Sequence, residues 1–505
     1  MNRFLLNHLP LGWMDAYIQY KSKDESSLKK LVFDSDPETL ELLGRRKALA
    51  MLRKTARDIR HYRDFLQLKN VKMEDIRSIE DFISLLPSID KENYIRKAGT
   101  LHELCFKDND QPEFLVRSSG FTGRPITWIE SKDEIESARK YVSFGMDMLF
   151  STKKRSTLII NGFALGSWSG GISMLVETEE ECSLINPGLV EKEIIELVTE
   201  LKDEYDQIII AGNPVFLKDI VDESHMKGLG WNRYRIHLIT GGELITEAWR
   251  DYMLCKLNPK ETKIYSAFGA SDIGVVGFNE TNESIKIRKA AITNAPLRKA
   301  LFDETEELPM LFQYDPTRYF ITVSKGWELE FTKCDLGTLM PLIKYNLHDV
   351  GGIISHKKME KILRDFSLHV DLKFPFPFIF VQGRSDGTIS FCSSKIYPAN
   401  IEEAIFSSSN LSASTTGRFK LLKKYGADHN SHLHVTIQLE KNKAGDRKLK
   451  ERFTRAIHDS LMRSNADFRQ DITHMKNKGK KIIDVELIPF EQYPVEPSIK
   501  ERYIE

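Results

Sequence analysis

Residues 493–500 read YPVEPSIK, so that a lone lysine, Lys500, follows Pro494 by six positions. Four earlier segments rich in glycine, hydroxyl or charged residues precede it in a set order. They are SSGFTGRP at 118–125, FGASD at 268–272, YNLHD at 345–349 and GRSD at 383–386. Any one of them alone would be a common loop or turn. Their combination and their order are far more specific.

In this order, with a small region after Arg384, the motifs resemble those of the adenylate-forming superfamily, which includes acyl-CoA synthetases, peptide-synthetase adenylation domains and luciferases. The most similar branch is that of the phenylacetate-CoA ligases. The segment NGFALGSWSGG at 161–171 has the aromatic and glycine-rich pattern of that branch, and residues 385–403 follow its pattern without a gap. The resemblance covers residues 80–505.

The resemblance implies an α/β fold in two domains. Residues 1–383 are expected to form a large N-terminal domain that binds ATP and the acid, with parallel sheets flanked by helices and a small β subdomain. Residues 384–505 are expected to form a smaller, mobile α+β C-terminal domain that carries the catalytic lysine.

The pattern of apolar residues favours the same fold class. Short apolar runs at 157–160, 207–210 and 235–239 predict buried strands, and the stretches 191–201 and 246–257 predict helices. Residues 37–75 have helical spacing with many charges, which predicts amphipathic helices on an outer face. Residues 328–345 are richer in strand signals, with a turn at 335–337.

The composition excludes some classes of function. The chain has 505 residues, of which 41% are hydrophobic, and Lys+Arg equals Asp+Glu at 73 each. This balance gives no overall field for nucleic acid or an anionic membrane. The five cysteines form no C-x-x-C pair, which indicates reduced thiols in a cytoplasmic protein. The histidines at 429–434 are interpreted as a turn before a strand rather than as a metal site.

Two segments could be mistaken for membrane or export signals. Residues 156–176 carry no charge and are long enough to cross a bilayer, but their glycines, serines and Asn161 favour a buried strand and loop. The first 20 residues contain an apolar stretch broken by polar residues, so they are interpreted as mature sequence. We therefore expect no membrane span.

The segment at 118–125 combines hydroxyl groups with glycines, which allow backbone N–H groups to approach phosphate oxygens. The resemblance implies that it holds the triphosphate of ATP. A turn rich in serine and glycine is the alternative. The candidate phosphate ligands are Ser118, Ser119, Gly120, Thr122 and Gly123.

Two further segments match family positions for the nucleotide. Gly242 and Glu243 follow a predicted strand where the family packs its backbone against adenine, although a plain tight turn would look the same. In the motif at 268–272, the resemblance places Phe268 on the adenine ring, with Gly269 following it. Ser271 then meets the α-phosphate.

Asp272 ends that motif and takes the place of the acid that binds Mg²⁺ in the family. It is one methylene shorter than the usual glutamate, which Mg²⁺ tolerates because it keeps several waters. A helix N-cap is the alternative role.

The resemblance assigns three residues around the predicted domain boundary. Asp349 would accept hydrogen bonds from the ribose hydroxyls, since a carboxylate suits a vicinal diol. Arg384 would contact ribose or phosphate oxygens. Asp386 would be the hinge about which the C-terminal domain rotates.

Lys500 has the clearest implied role in catalysis. Attack of a carboxylate on the α-phosphate joins two anions, so a cation directed at the developing charge lowers the barrier. A solvated terminal lysine is the alternative. The family glycine before this lysine is Ile499 here.

The expected activity is the ATP- and Mg²⁺-dependent activation of a carboxylic acid as acyl-AMP, followed by transfer to the thiol of CoA. Transfer to a carrier-protein phosphopantetheine or to an amine is the alternative. An inactive nucleotide-binding homologue is the second alternative, which the departures at Phe121, Asp272 and Ile499 leave open. Phe163, Trp168 and Phe216 suggest a pocket for an aromatic or medium apolar acid, or are simply core.

Overall fold

The computed structural model describes residues 25–106, 113–118, 126–166, 171, 173–174, 178, 182–303, 308–335, 337–385, 388–392, 394–426, 429–465, 468–469, 471–472 and 482–492. Seven predicted site residues lie outside these ranges, so their roles stay predictions: Ser119, Gly120, Thr122, Gly123, Trp168, Asp386 and Lys500.

The strands of the described residues are numbered in chain order. They are β1 (Glu113–Ser118), β2 (Ile126–Ser131), β3 (Thr157–Asn161), β4 (Ser183–Ile185), β5 (Gln207–Gly212), β6 (Ile236–Thr240), β7 (Ile264–Ala270), β8 (Gly274–Asn279), β9 (Met310–Tyr314), β10 (Tyr319–Val323), β11 (Glu328–Lys333), β12 (Tyr345–Ile354), β13 (Phe378–Arg384), β14 (Ile389–Phe391), β15 (Ser394–Ile396), β16 (Thr415–Tyr425), β17 (Ser431–Leu439) and β18 (Ile483–Ile488).

The helices are numbered in the same way. They are α1 (Glu25–Phe33), α2 (Pro37–Asp58), α3 (Arg60–Leu68), α4 (Ile79–Leu85), α5 (Lys132–Phe150), α6 (Glu191–Leu201), α7 (Pro214–Met226), α8 (Glu247–Lys256), α9 (Asn282–Thr293), α10 (Ala295–Phe302), α11 (His356–Asp365), α12 (Pro398–Ile405), α13 (Ser409–Ser412) and α14 (Arg447–Ser464).

An 11-stranded sheet forms the centre of the molecule, in the order β10-β11-β12-β13-β9-β8-β7-β6-β5-β3-β4. The three strands predicted from apolar runs are β3, β5 and β6, which pair in parallel. Strand β7 pairs in parallel with β6 but antiparallel with β8, so it joins the two halves. The region predicted as a small β subdomain, 328–345, therefore belongs to the antiparallel half of the same sheet.

Helices follow the strands as the sequence predicts. Helix α6 has its buried residues Ile194, Ile195 and Val198 on one face, as the 3.6-residue period requires. Helix α8 begins after Thr246, whose hydroxyl accepts the Trp249 N–H at 3.1 Å as an N-cap. Both predicted helices are confirmed.

Helix α2 packs into the core of the large sheet, and α1 packs into a separate apolar cluster. Helix α2 begins after Asp36, which accepts the Thr39 N–H at 3.1 Å, and Pro37 occupies the first turn, where its missing N–H costs nothing. The predicted apolar positions of this helix are buried: Leu40, Leu43, Ala48 and Leu52. Helix α1 contributes Leu28 and Val32 to a cluster with Phe144, Phe374 and Phe376.

The C-terminal region, by which we mean the described residues 389–492, has its own sheet, in the order β16-β17-β18. Its core includes Leu421, Val435, Phe453 and Ile457, and Val215 of α7 joins that core from the other side. Within the described ranges, β14 to β18 form no ladder with the 11-stranded sheet. The exact domain boundary at 383/384 stays a prediction.

None of the described helices is both long enough and apolar enough to cross a membrane.

A histidine buried in the centre of the parallel half, His237, makes hydrogen bonds that require its ring to be neutral. Nδ1 of His237 on β6 accepts the Lys263 backbone N–H at 3.0 Å, and Nε2 lies 3.1 Å from the Gln207 side-chain oxygen. Nδ1 is therefore the acceptor and Nε2 carries the proton. Burial, together with the charges of Lys263 and Arg235, lowers the pKa of His237 from 6.5 to about 3.

We expect this histidine to make the fold acid-sensitive. The unfolded chain takes up the proton below pH 6.5 and the folded chain does not until about pH 3, so stability is lost as pH falls. The contribution is about 2 kcal/mol between pH 7 and pH 5. Urea unfolding of the wild type and of His237→Gln at both pH values measures it. Equal pH dependence in the two proteins would contradict the assignment.

Candidate active site

A cavity of about 1660 Å³ lies where the sequence motifs meet. It opens at the ends of β1, β6 and β7 on one side and at β12 and β13 on the other. Ten of the predicted site residues line it: Ser118, Phe163, Gly242, Glu243, Phe268, Gly269, Ser271, Asp272, Asp349 and Arg384. Phe216 does not line it; this residue is buried in the core of the large sheet.

The end of β1 presents the first residue of the predicted phosphate loop. Ser118 and Ile126 pair across β1 and β2, so the two ends of segment 119–125 are adjacent. The Ser118 hydroxyl accepts the Trp128 indole N–H at 3.1 Å, which fixes its oxygen and leaves its own proton available for donation. Ser271 donates to the Arg117 carbonyl at 3.4 Å, so the two motifs touch.

The loop after β6 forms another wall of the cavity. Gly242 has a φ of +85°, a conformation that side chains with a Cβ rarely adopt. Glu243 is next in the chain, and its carboxylate pairs with Lys423 of β16. Phe268 lies on β7, with its ring 5.7 Å from that of Phe278 and 5.9 Å from that of Phe312. Contacts with these two rings fix the orientation of the Phe268 ring.

Asp272 is almost completely buried, yet only one of its oxygens is engaged. Its Oδ2 accepts from the Tyr345 hydroxyl at 2.7 Å and lies 3.2 Å from Nζ of Lys91. Burial raises the pKa of Tyr345 well above its ordinary value, so the phenol stays a donor. Oδ1 has no hydrogen-bond partner in the described part of the chain. A buried carboxylate oxygen in this state fits a bound Mg²⁺.

Lys91 and Tyr345 were missed by the sequence reasoning as partners of Asp272. Tyr345 is the first residue of the quoted motif at 345–349, so its position was a signal that was not used. Lys91 lies in an unremarkable charged segment far from any motif, and no feature of the sequence singles it out. The isolated bridge between Ile89 and Tyr345 brings the two segments together.

Asp349 and Arg384 face each other across β12 and β13. They are paired in register, and Nη1 of Arg384 lies 3.8 Å from Oδ2 of Asp349. A bulge between Val350 and Gly351 follows, where the ladder shifts by one residue. The arrangement places a carboxylate and a guanidinium together on the cavity wall.

A buried charge network lies under the cavity and fixes its walls. Nη2 of Arg250 donates to both oxygens of Glu280, at 2.7 and 2.8 Å, and Arg250 and Arg288 both pair with Glu247. Arg288 also donates to the Ile245 carbonyl at 2.9 Å, and Glu280 accepts the Ser266 N–H at 2.8 Å. The network therefore joins the loop after β6 to β7.

A second cavity, of about 210 Å³, adjoins the first. The two share wall residues, among them Phe163, Gly241, Gly242 and Ala267. The rest of the second cavity is mainly aromatic and apolar, with Phe144, Met146, Phe150, Met174, Tyr265, Tyr314, Phe374 and Phe376. Phe163 thus stands at the junction of the two cavities, and Phe216 lines neither.

The predicted turn covers only the start of the histidine segment at 429–434, because β17 begins at Ser431 and carries His432 and His434. His432, His434 and Asp484 bring potential ligand atoms within 4.8 Å of one another. Asp484 lies 3.2 Å from His434 and 3.1 Å from Lys450, and Glu486 lies 3.0 Å from the other nitrogen of His434. These contacts join His434 of β17 to two acids of β18.

Comparison with solved structures places the fold. The 2-hydroxyisobutyryl-CoA ligase in complex with 2-HIB-AMP and CoA, in the thioesterification state, gives a TM-score of 0.64 at 13% identity, over 94% of this chain and 91% of that chain. The chain has the fold of this ligase. The same ligase in the postadenylation state with R3-HIB-AMP gives 0.55 at 12% identity over 94% and 91%, and its open conformation gives 0.53 at 12% identity over 93% and 91%.

This likeness confirms the predicted α/β fold with a separate α+β C-terminal region. No protein-family model matches the chain, and none of the curated proteins is similar to it in sequence. The phenylacetate-CoA ligase branch therefore stays a prediction.

Removing one acid from the buried network should destabilise the large domain. Glu280→Gln leaves Arg250 with one charged partner and leaves the Ser266 N–H with a weaker acceptor, which should cost about 3–5 kcal/mol. Glu261→Gln is the matched control, because Glu261 pairs with Arg235 at 2.8 Å on the surface and should cost at most about 1 kcal/mol. Urea unfolding compares the two variants. Similar small losses in both would contradict a structural role for the network.

Proposed function

We propose that this protein uses ATP and Mg²⁺ to activate a carboxylic acid as acyl-AMP and then transfers the acyl group to the thiol of CoA. The observation that carries the proposal is the convergence of four separate motif segments on one cavity. A chance set of turns has no reason to bring the Asp349 carboxylate, the buried Asp272 with its unengaged oxygen and the Arg384 guanidinium to one cavity.

ATP would bind across this cavity. Adenine would lie between Phe268 and the backbone of the 241–243 loop, and the ribose hydroxyls would donate to Asp349. The phosphates would lie toward Ser118, in reach of the ammonium group of Lys91. Bound Mg²⁺ would be held at Asp272 and would supply positive charge to the phosphate oxygens.

The first step would join two anions. A carboxylate oxygen attacks the α-phosphorus, an oxygen–phosphorus bond forms, and the bond to pyrophosphate breaks. Lys500 is proposed to stabilise the charge that develops at the phosphorus. In the second step, the thiolate of the acceptor attacks the acyl carbon and AMP leaves.

The second cavity is proposed to hold the acyl group, since it opens beside the predicted α-phosphate site at Ser271. Its volume of about 210 Å³ can be compared with an apolar cavity of about 150 Å³ that binds benzene. The proposed acid is therefore an aryl or medium-length apolar acid. Phe163 would contact it near the carboxylate, and Phe374 and Phe376 would close the far end.

The arrangement of the C-terminal region favours a thiol acceptor. The chain as a whole gives a higher TM-score with the thioesterification state of the solved ligase, 0.64, than with the postadenylation state, 0.55. We infer that the C-terminal region stands here in the orientation for thioester formation. The large cavity extends between the two parts of the chain as far as Thr388, Ser390 and Tyr397, which leaves room for a pantetheine arm.

The proposal predicts that pyrophosphate release requires ATP, Mg²⁺ and a particular acid, and that CoA then converts the bound acyl-AMP to a thioester. Pyrophosphate release over a panel of aryl and aliphatic acids, without and then with CoA, measures both steps. Release by an acid with no use of CoA favours a carrier protein or an amine as acceptor. No release with any acid would favour an inactive homologue.

Asp349→Ala should weaken ATP binding roughly tenfold or more, because the ribose loses its acceptor.

The proposed acyl pocket can be filled without disturbing the fold. Gly145 lines it from helix α5, and a Cβ at this position would have no atom within 4 Å. Gly145→Leu should lower kcat/KM at least about tenfold for the largest accepted acid and much less for short acids, while Gly145→Ala has a smaller effect. ATP affinity is the control, because Gly145 does not line the large cavity. An unchanged order of preference among acids would place the acyl group elsewhere.

A further inference from the structure

The C-terminal region docks on the loop after β6 and on helices α7 and α8. Lys423 of β16 pairs with Glu243, and the ring of His429 lies 4.9 Å from that of Tyr252 on α8. The Cys392 carbonyl, at the tip of the β14-β15 hairpin, lies 3.7 Å from where a Cβ on Gly242 would be. The 241–245 loop is therefore contacted by two separate elements of the C-terminal region.

The Lys423–Glu243 pair is shielded from water. The Glu243 side chain is 1% exposed and that of Lys423 is 15% exposed. Burial raises the pKa of Glu243 above its ordinary value, whereas for Lys423 the adjacent carboxylate outweighs burial and raises the pKa. Each partner therefore depends on the other for compensation of its lost hydration.

The pair differs in kind from the apolar contacts beside it. Ring and backbone contacts weaken gradually as surfaces slide, whereas separating Lys423 from Glu243 breaks a short-range attraction between opposite charges. Glu243 belongs to the 11-stranded part of the molecule and cannot follow Lys423, because Arg288 holds the same loop through the Ile245 carbonyl. A rotation of the C-terminal region must therefore break the pair.

We propose that Lys423 and Glu243 form a latch that holds the C-terminal region in the orientation for thioester formation. This proposal rests on the proposed function, because the orientation is identified by the thioester step of that function. Lys423 is a positioning residue that acts through Glu243 and takes no part in adenylation. The latch opens when the C-terminal region rotates to bring Lys500 to the α-phosphate, and it closes again after pyrophosphate leaves.

The test compares Lys423→Met, which keeps most of the aliphatic stem and removes the charge, with Lys448→Met on the exposed face of α14. Hydrogen exchange of the full chain is followed at residues 241–245 and 415–425. We expect faster exchange at both segments in Lys423→Met and wild-type exchange in Lys448→Met. Wild-type exchange in both variants overturns the latch, whether or not an acid substrate has been found.

The two half-reactions provide the functional readout. In Lys423→Met, thioester formation from supplied acyl-AMP should slow at least about tenfold, since truncating one member of a buried charged pair removes the contact that holds the orientation. Acyl-AMP formation should keep its wild-type rate or become faster. Equal slowing of both half-reactions would overturn the latch and assign Lys423 to the nucleotide site. If no acid is activated by the wild type, the proposed function fails and exchange alone decides the latch.

A variant in which the two charges are exchanged distinguishes loss of the ion pair from a general loss of packing. The double variant Glu243→Lys with Lys423→Glu keeps an ion pair of opposite direction at the same place. In this double variant, hydrogen exchange at 241–245 should be slower than in Lys423→Met. Continued fast exchange would show that the charge pair does not hold the orientation, and would overturn the proposal.

Discussion

The buried pairing of Arg250 and Arg288 with Glu247 and Glu280 is the constraint on which the site depends. Four charges without water are stable only while every partner is in place, so the elements that carry them cannot move independently. Those elements are α8, the end of β8 and helix α9, and they hold the 241–245 loop and the start of β7. The cavity is therefore bounded on this side by rigid backbone. Preorganised walls of this kind let dipoles act on a bound anion without reorganising.

The other walls come from the way in which β7 joins two kinds of sheet. A parallel half delivers the carboxyl ends of β3, β5 and β6 to one edge, where ligands of α/β proteins bind. The antiparallel half turns β12 and β13 so that Asp349 and Arg384 reach the same space from the opposite direction. Residues that are more than 200 positions apart in sequence, such as Ser118 and Asp349, thereby line one cavity.

Sequence reasoning succeeded where a local pattern determines the structure. Strands β3, β5 and β6 are continuous apolar runs, and helices α6 and α8 have a clear period, so both kinds of element were predicted. It failed where long-range pairing decides. The strand signals at 328–345 could not show that these strands continue the large sheet, and an apolar residue such as Phe216 has the same signal in a core as in a pocket. Lys91 reaches Asp272 through a single bridge at Ile89, which no local pattern encodes.

The 241–245 loop receives three separate constraints within five residues. Arg288 holds the carbonyl of Ile245 from below, Gly242 takes a left-handed conformation at the cavity wall, and Glu243 faces the C-terminal region. Because Arg288 anchors the loop at Ile245, we expect a change of partner at Glu243 to move the backbone at Gly242 rather than the strands of the sheet. The position of the C-terminal region and the shape of this side of the cavity are therefore coupled through two adjacent residues. Coupling over so short a distance needs no movement of the 11-stranded sheet.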